Sequence, residues 1–355
     1  MAHDLQPDYS SADNNYGLLR FIAATLVIYS HSYHLNGYAQ KEPFEAIGMF
    51  TSIGGLAVYI FFIISGYVIA RSWDHKPIFI NFIRNRFLRI FPALLLCYLV
   101  MIFLCGPFLS TFPIRDYLKD SMTWTYFNNI FLYLVPFQFN LPGVFLNNPT
   151  QFVNGALWTL PIEFFFYILF AIVASFVKLK HKVIWVLLFF AGIIFSTNNY
   201  AQTLIFGKLF FQMELRHIVS FAPFFSSGVL LYLHRQLLPK PGSRSHHLII
   251  MTAIILLLAG TYFSSFILYS ISLPVIVVLF AFSKIPAKYR ILRYLGNFSY
   301  GMYLYGWFSQ QLVIQIVGIQ VNIYSSFMIT LVVSLIFGVV SWYLLESQMI
   351  KYKSK

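Results

Sequence analysis

The stretch IGGLAVYIFFIISGYVIA, residues 53–70, runs for eighteen residues without a charged side chain. A helix needs about 20 predominantly apolar residues to cross the hydrocarbon core of a bilayer. Of the 355 residues in the chain, 59% are hydrophobic and only 10% are charged, against about 25% charged in soluble domains. The sequence therefore predicts an all-α polytopic membrane protein, and it excludes soluble enzymes, disulfide-rich secreted scaffolds and disordered proteins.

Apolar runs of similar length recur along the chain and predict about ten transmembrane helices in a single membrane domain over 1–355. The first run follows a polar segment without the basic start of a signal peptide, so we expect it to be retained. The run 128–139 is short and contains Pro136, which favours a re-entrant or interfacial piece. The predicted spans are 17–35, 47–70, 90–109, 156–177, 183–199, 217–233, 248–263, 266–283, 295–317 and 322–345.

The net charge of +13 could indicate nucleic-acid binding or cytoplasmic loops. If both termini are cytoplasmic and 128–139 does not span, then 19 of the 24 lysines and arginines fall on the cytoplasmic side. Because cytoplasmic loops carry an excess of basic residues, this orientation is favoured and nucleic acid is not an expected partner. It predicts cytoplasmic tails at 1–16 and 346–355 and a long outer loop at 110–155.

Ionisable residues inside predicted spans are costly, so each is a candidate for function. Arg20 and His31 are eleven residues apart, almost three helical turns, and share one helix face about 16 Å apart. Glu163 lies in LWTLPIEFFFYILF at a depth similar to that of His31, which makes His31 its expected partner. The alternatives are that Arg20 reaches lipid headgroups and that His31 and Glu163 are structural packing residues.

The segment FIRNRFLRIFP carries Arg84, Arg86 and Arg89 at the cytoplasmic start of the third predicted span. Arg86 and Arg89 are three residues apart and project from one helical face. Such a cluster is either a topology signal in contact with lipid headgroups or an anion clamp for a phosphorylated cofactor. Cys97 and Cys105 are too far apart on a helix for a disulfide, and neither is near a histidine in the sequence, so no metal is expected.

Five motifs in order resemble the acyltransferase-3 family of integral-membrane O-acyltransferases over nearly the whole chain. An Arg-x10-His element is present in NNYGLLRFIAATLVIYSHSYHL, and an FF-x-x-SG element in AVYIFFIISGYVIARSW. The others are Arg-x-x-Arg-I-x-P in NFIRNRFLRIFPALL, W-[ST]-L-x-x-E in LWTLPIEFFFY, and SY-x-x-YL in YLGNFSYGMYLYGW. Many relatives carry a histidine where this chain has Gly306, which places more weight on His31.

The resemblance implies transfer of an acyl group, usually acetyl from acetyl-CoA, to a hydroxyl of a cell-envelope or exported glycan such as an O-antigen or an exopolysaccharide. It implies a multi-pass protein of the bacterial inner membrane, in contact with acyl-CoA, a glycan or lipid-linked saccharide and membrane lipids. The implied catalytic residues are His31 as general base or acyl carrier, Glu163 as its orienting or charge-balancing partner, and Arg20 as donor guide. Arg84, Arg86 and Arg89 would hold the donor phosphates, and Trp158, Tyr300 and Ser65 would contact substrate.

Two other classes are compatible with many spans and intramembrane charge. A transporter or flippase of lipid-linked saccharide would also have about ten spans, but it does not explain why Arg20 and His31 share a face near an Arg-x-x-Arg cluster. A glycan polymerase or ligase would be expected to have larger, basic outer loops. Only acyl transfer consumes acyl-CoA, which separates the three classes experimentally.

Overall fold

The structure is a computed structural model that describes residues 14–132, 134–177, 182–284, 287–318 and 322–352, with only the backbone for 287–291. Residues 1–13 of the predicted N-terminal tail lie outside the described residues. So do Lys178 and Lys180, which contribute to the predicted orientation, and Lys353 and Lys355 at the end of the chain.

Ten helices of 15 to 23 residues occur in the described ranges, and each overlaps one of the ten predicted spans. In chain order they are α1 Tyr16–Leu35, α2 Ile53–His75, α3 Phe79–Leu99, α4 Thr159–Phe176, α5 Val183–Thr197, α6 Leu215–Leu233, α7 Arg244–Tyr262, α8 Phe266–Ala281, α9 Ser299–Val317 and α10 Ile323–Ser341. Shorter helical segments lie at Ala39–Lys41, Pro43–Ala46, Ile114–Lys119, Ser121–Phe127, Asn128–Phe131, Ala156–Trp158, Asn199–Ile205, Arg235–Leu237 and Ala287–Asn297. The described strands, β1 Leu209–Phe210 and β2 Met213–Glu214, pair antiparallel.

Two of the long helices continue through a π-helical turn. A turn at Val100–Cys105 joins α3 to Gly106–Leu109, and a turn at Trp342–Glu346 joins α10 to Ser347–Lys351. Such π turns insert an extra residue into the helix and are frequent at functional sites. The second turn carries Glu346, whose position is described with the site below.

Five continuous helices are long and apolar enough to cross a membrane, and a sixth results if α5 and Asn199–Ile205, bent by 96°, are counted as one span. The five are α2, α3 with its extension, α4 with the preceding turn, α7, and α10 with its extension. The protein is therefore an all-α membrane protein. α8 is apolar but shorter, with 16 residues.

The helices that surround the site form one packed group. α1 packs between α2 and α9, α9 packs on α10, and α4 packs on α3. α2 lies against α6 at glycines: a Cβ on Gly66 would collide with the carbonyl of Phe225, and a Cβ on Gly228 with that of Ile63. These glycines let the two backbones touch, as is common where membrane helices meet.

α3 begins at Phe79, eleven residues before the predicted start of the third span at 90. The predicted boundary was wrong because the arginines between 84 and 89 interrupt the apolar run. Phe82 is nevertheless buried against Trp73 of α2 and Phe170 of α4. Arg86 and Arg89 therefore lie inside the helix, where they face neighbouring helices.

The segment between α3 and α4 is held to the bundle by polar side chains. Asn129 exchanges hydrogen bonds with the backbone of Gln138, and Asn148 donates to the side-chain oxygen of Gln311 on α9 at 2.8 Å. Asn154 donates to the carbonyl of Leu304 at 2.8 Å. The chain from 138 to 155 is consequently fixed against the end of α9 that carries Trp307.

Candidate active site

A cavity of about 330 Å³ lies where α1, α2, α3, α4 and α9 meet, with Trp342 and Ile350 of the extended α10 at its edge. It brings together residues from all five family-like sequence elements. The site residues predicted from the sequence that line it are Arg20, Ser65, Arg86, Arg89, Glu163 and Tyr300. With three arginines and one carboxylate in this set, the cavity has a positive balance of charge.

Glu163 is the centre of a hydrogen-bonded group at one wall of the cavity. Its Oε1 accepts hydrogen bonds from the hydroxyls of Ser65, at 2.8 Å, and Tyr167. The two hydroxyls are also 3.2 Å apart. Arg20 and Arg86 lie within electrostatic range of Glu163. The carboxylate is thus fixed by two hydroxyl groups and placed among guanidinium groups.

The expected pairing of Glu163 with His31 is wrong. His31 packs edge-on against Trp307, with ring centroids 4.9 Å apart, and it does not line the cavity. Its Nδ1 is buried and has no hydrogen-bond partner among the described residues. Glu163 instead lies within electrostatic range of Arg20, which is almost three turns of α1 from His31, and its hydroxyl partners belong to α2 and α4.

The cavity extends along α2 from Val68 to Val58. Ten residues of helix correspond to about 15 Å along the axis. At the Val58 end, Thr159 and Tyr303 share a hydrogen bond of 2.8 Å, and the Tyr303 hydroxyl donates to the carbonyl of Ala156 at 2.7 Å. Both residues line the cavity, and their contact is here called the Thr159–Tyr303 closure.

His31 lies beyond the Thr159–Tyr303 closure. Trp307, its ring partner, is one helical turn along α9 from Tyr303. The indole N–H of Trp307 donates to the carbonyl of Phe152 at 2.9 Å, in the segment that precedes α4. The imidazole therefore sits next to the narrow end of the cavity, and Arg20 lies at the opposite, wider end.

Arg86 and Arg89 occupy the wide end of the cavity in different ways. The Arg86 guanidinium donates to Ser72 at 3.2 Å and lies over the rings of Phe82 and Tyr167. Arg89 lies over the Tyr300 ring and 3.9 Å from the buried carboxylate of Glu346. Both arginines are directed toward the protein interior by these contacts, as an anion clamp requires.

Of three further predicted site residues, Arg84 and Trp158 lie outside the cavity lining, whereas Tyr300 belongs to it. Arg84 is exposed, donates to the carbonyl of Tyr352 at 3.3 Å and does not line the cavity. Trp158 lies against His217 of α6, with ring centroids 4.6 Å apart, and is also outside the lining. Tyr300 lines the cavity and donates its hydroxyl hydrogen bond to the carbonyl of Ile90 at 3.0 Å.

Sequence reasoning missed several polar residues of the site: Tyr167, Thr159, Tyr303, Asn297 and Glu346. A signal existed for Tyr167, because residues four apart on a helix share a face and Tyr167 follows Glu163 by four. Tyr303 belongs to the SY-x-x-YL element. Glu346 lies after the last predicted span, and nothing local in the sequence indicated its pairing with Arg89.

The chain is similar to known acyltransferases over nearly its whole length. The acyltransferase-3 family model, described as an acyltransferase domain, matches residues 13–346. An O-acetyl transferase of Shigella phage Sf6 is 29% identical over 346 residues, which cover 96% of this chain and 97% of the relative. The acyltransferase MdmB of Streptomyces mycarofaciens is 30% identical over 43% of this chain and 36% of its own.

A third relative is nodulation protein 10 of Rhizobium leguminosarum bv. viciae, 29% identical over 44% of this chain and 42% of its own. No solved structure gives a significant match. The family match covers almost the whole chain, including every helix that lines the cavity. The chain therefore belongs to the acyltransferase-3 family and is an integral-membrane O-acyltransferase.

Proposed function

We propose that the protein transfers an acetyl group from acetyl-CoA to a hydroxyl of a cell-envelope or exported glycan. The observation that carries the proposal is the cavity itself, which leads for about 15 Å from Arg20, Arg86 and Arg89 to the neighbourhood of His31. A polyanionic donor suits the arginine end, and an extended pantetheine arm is of comparable length. The full-length similarity to an O-acetyl transferase supports acetyl as the group transferred.

In the proposed orientation, ten helices cross the bacterial inner membrane and both termini are cytoplasmic. The single domain would have its wide cavity end toward the cytoplasm, where acyl-CoA is present. The segment 110–155 would lie outside, on the side of His31 and of an exported or lipid-linked saccharide. The distribution of basic residues supports this orientation.

The proposed chemistry uses His31 as general base. The imidazole takes the proton of the acceptor hydroxyl as the oxygen attacks the thioester carbonyl, so that a C–O bond forms and the C–S bond breaks. The departing CoA thiolate then receives the proton from His31. Transient transfer of the acyl group to His31 before it reaches the sugar is an alternative order of the same steps.

The roles of the remaining residues follow from their contacts. Arg86 and Arg89 would hold donor phosphates through charge-assisted hydrogen bonds. Arg20, at the wide end, would guide the donor into the cavity, and Tyr300 and Ser65 would contact its arm. Glu163 would balance the charge of the arginines and fix Ser65 and Tyr167. This role differs from the one expected from the sequence, in which Glu163 orients His31. Trp158 and Arg84 have no assigned role in this scheme.

The test is an assay of acyl-CoA consumption with purified protein in nanodiscs and a membrane glycan fraction as acceptor. We expect release of CoA thiol that depends on the acceptor, together with a gain of one acetyl mass on the glycan. Envelope glycans from cells with and without the gene provide the acceptor fraction and the matched comparison. Release of no thiol with acetyl-CoA in the presence of unacetylated glycan would contradict the proposal.

A further inference from the structure

A second cavity, of about 380 Å³, lies where α2 ends and α3 begins. Its lining is polar and basic: Arg71, Ser72, His75, Lys76, Asn85 and Arg86 contribute to it. None of these except Arg86 belongs to the site described so far. The two cavities share Val68 and Arg86, so the Arg86 side chain stands between them.

The nearby acidic residue, Asp74, does not line the second cavity. Asp74 lies between Ser72 and His75 in sequence, but its carboxylate faces α6 instead. There it accepts hydrogen bonds from Tyr232 at 2.7 Å and Arg235 at 3.2 Å. Arg71, Lys76 and Arg86 therefore give the cavity a positive potential, which attracts anions.

Arg86 also has an unused hydrogen-bond donor. Its Nε is buried and has no hydrogen-bond partner among the described residues, although its Nη2 donates to Ser72. A buried guanidinium N–H without a partner is costly, and an anion at this position would satisfy it. An anionic group between the two cavities would therefore give the Arg86 Nε–H an acceptor.

We propose that the second cavity binds the phosphorylated nucleoside end of the acyl donor, with Arg71 and Lys76 as phosphate contacts and Arg86 at the junction with the arm. The proposal rests on the proposed function, because it extends the donor site beyond the first cavity. The enzyme then distinguishes CoA thioesters from shorter thioesters by their phosphates. The planar amide groups of Asn81 and Asn85 provide hydrogen bonds for a base or a ribose.

The direct test uses adenosine 3′,5′-bisphosphate, which is the phosphorylated nucleoside alone, with adenosine as the uncharged control. Affinities are measured by titration of the full-length protein in nanodiscs of neutral lipid. We expect the wild type to bind the bisphosphate at least about 10-fold more tightly than adenosine, as charge-assisted contacts imply. Equal affinity for the two compounds, or no binding of the bisphosphate, would overturn the proposal.

Variants of the lining residues test whether the bisphosphate binds in the second cavity. The double variant Arg71→Gln, Lys76→Gln should weaken bisphosphate binding about 10-fold or more. Arg71→Lys keeps the charge and should lose only part of the affinity, since lysine lacks the guanidinium fork. Arg244→Gln, which removes an exposed charge at the start of α7, is the matched control and should bind like wild type. Unchanged binding in the double variant would place the nucleotide elsewhere.

A lipid headgroup also carries a phosphate. A second set of titrations therefore distinguishes binding of a lipid headgroup from binding of the nucleotide. The titration is repeated in nanodiscs that contain phosphatidylglycerol. Affinity within twofold of that in neutral lipid supports a nucleotide site, whereas complete competition by the lipid overturns it. These binding experiments need no turnover, so an inactive wild-type enzyme that still binds bisphosphate would contradict the proposed acetyl transfer and leave the nucleotide site in place.

Discussion

His31 combines a titratable ring of near-neutral intrinsic pKa with a position next to the narrow end of the cavity. Its ring packs against Trp307 of α9, which is itself held by the carbonyl of Phe152. The indole thus sets the position of the ring without taking either imidazole nitrogen as a hydrogen-bond partner. Nδ1 is buried without a hydrogen-bond partner among the described residues, so it is available to accept a proton in the proposed general-base step.

His31→Gln should reduce acyl transfer to less than a tenth of wild type, because general-base catalysis contributes about 10²–10⁴-fold. Transfer is measured as acceptor-dependent thiol release at equal amounts of membrane-inserted protein. His34→Ala is the neighbouring control and should be milder, since His34 is held by Glu45 at 2.8 Å and by the carbonyl of Ser30. A tenth or more of wild-type activity in His31→Gln would rule out the imidazole as the base.

The Glu163 group offers a second prediction at this scale. Ser65, Glu163 and Tyr167 share hydrogen bonds, so replacements within the group should not be additive. We expect a coupling free energy of about 0.5–3 kcal/mol between Glu163→Gln and Tyr167→Phe in a double-mutant cycle of kcat/KM for acetyl-CoA. Tyr262→Phe, on a side chain that is 84% exposed, is the control. Simple additivity would mean that the group does not act as a unit.

Among the elements, α3 is the one whose early start determines the arginine end of the cavity. By beginning at Phe79, it carries Arg86 and Arg89 into the bundle, where aromatic rings and Glu346 surround them. The π turn at the end of α10 contributes Glu346, its last residue, to this arrangement. Glu346 also accepts a hydrogen bond from Ser341 at 3.0 Å. The proposed clamp would therefore be formed by two helices.

Arg89→Ala should weaken CoA binding by about 1.5–3 kcal/mol, the range for hydrogen bonds to charged groups, while protein abundance stays normal. Arg89→Lys should restore only part of the affinity, because a lysine ammonium cannot make the bidentate contact. Affinity is measured by titration with CoA. Normal affinity and full activity in the double variant Arg86→Ala, Arg89→Ala would reduce the cluster to a topology signal.

The contact between α2 and α6 gives a prediction for stability. Gly228→Ala places a methyl group against the carbonyl of Ile63, which cannot move without shifting α2. Overpacking of this kind costs about 1–3 kcal/mol, so the melting temperature in detergent should fall. Ala191→Val at an exposed position of α5 is the control and should melt like wild type. An unchanged melting temperature in Gly228→Ala would show that the two helices can separate slightly at no cost.

At the scale of the whole molecule, the proposed orientation can be read with reporter fusions. Fusions after Lys180 and Lys288 should report the cytoplasm, and a fusion at Asn147 should report the outside. The physical reason is the excess of basic residues on one set of loops. A cytoplasmic signal at Asn147 would mean that the segment 128–139 crosses the membrane and that the number of spans is not ten.

Much of this architecture was accessible from the sequence because apolar runs of about 20 residues are a strong local signal. The positions of all ten long helices and six of the nine predicted site residues at the cavity follow from such runs and from the family-like motifs. The expected position of Glu163 beside His31 was wrong, because the residues that a side chain meets depend on how whole helices shift and rotate against each other. The second cavity depends on the close approach of α2 and α3, which no local pattern encodes.

The Thr159–Tyr303 closure has a consequence for the energetics of the cell. A bacterial inner membrane stores a proton gradient, and a water-filled passage through any of its proteins would dissipate it. Under the proposed orientation, the cavity opens toward the cytoplasm, and the hydrogen bond between Thr159 and Tyr303 lies one helical turn along α9 from Trp307, the ring partner of the far-side His31. Such a bond contributes about 0.5–1.5 kcal/mol, little enough for an arriving thioester to displace it. Insulation of the gradient and delivery of the acetyl group would then depend on the same two side chains.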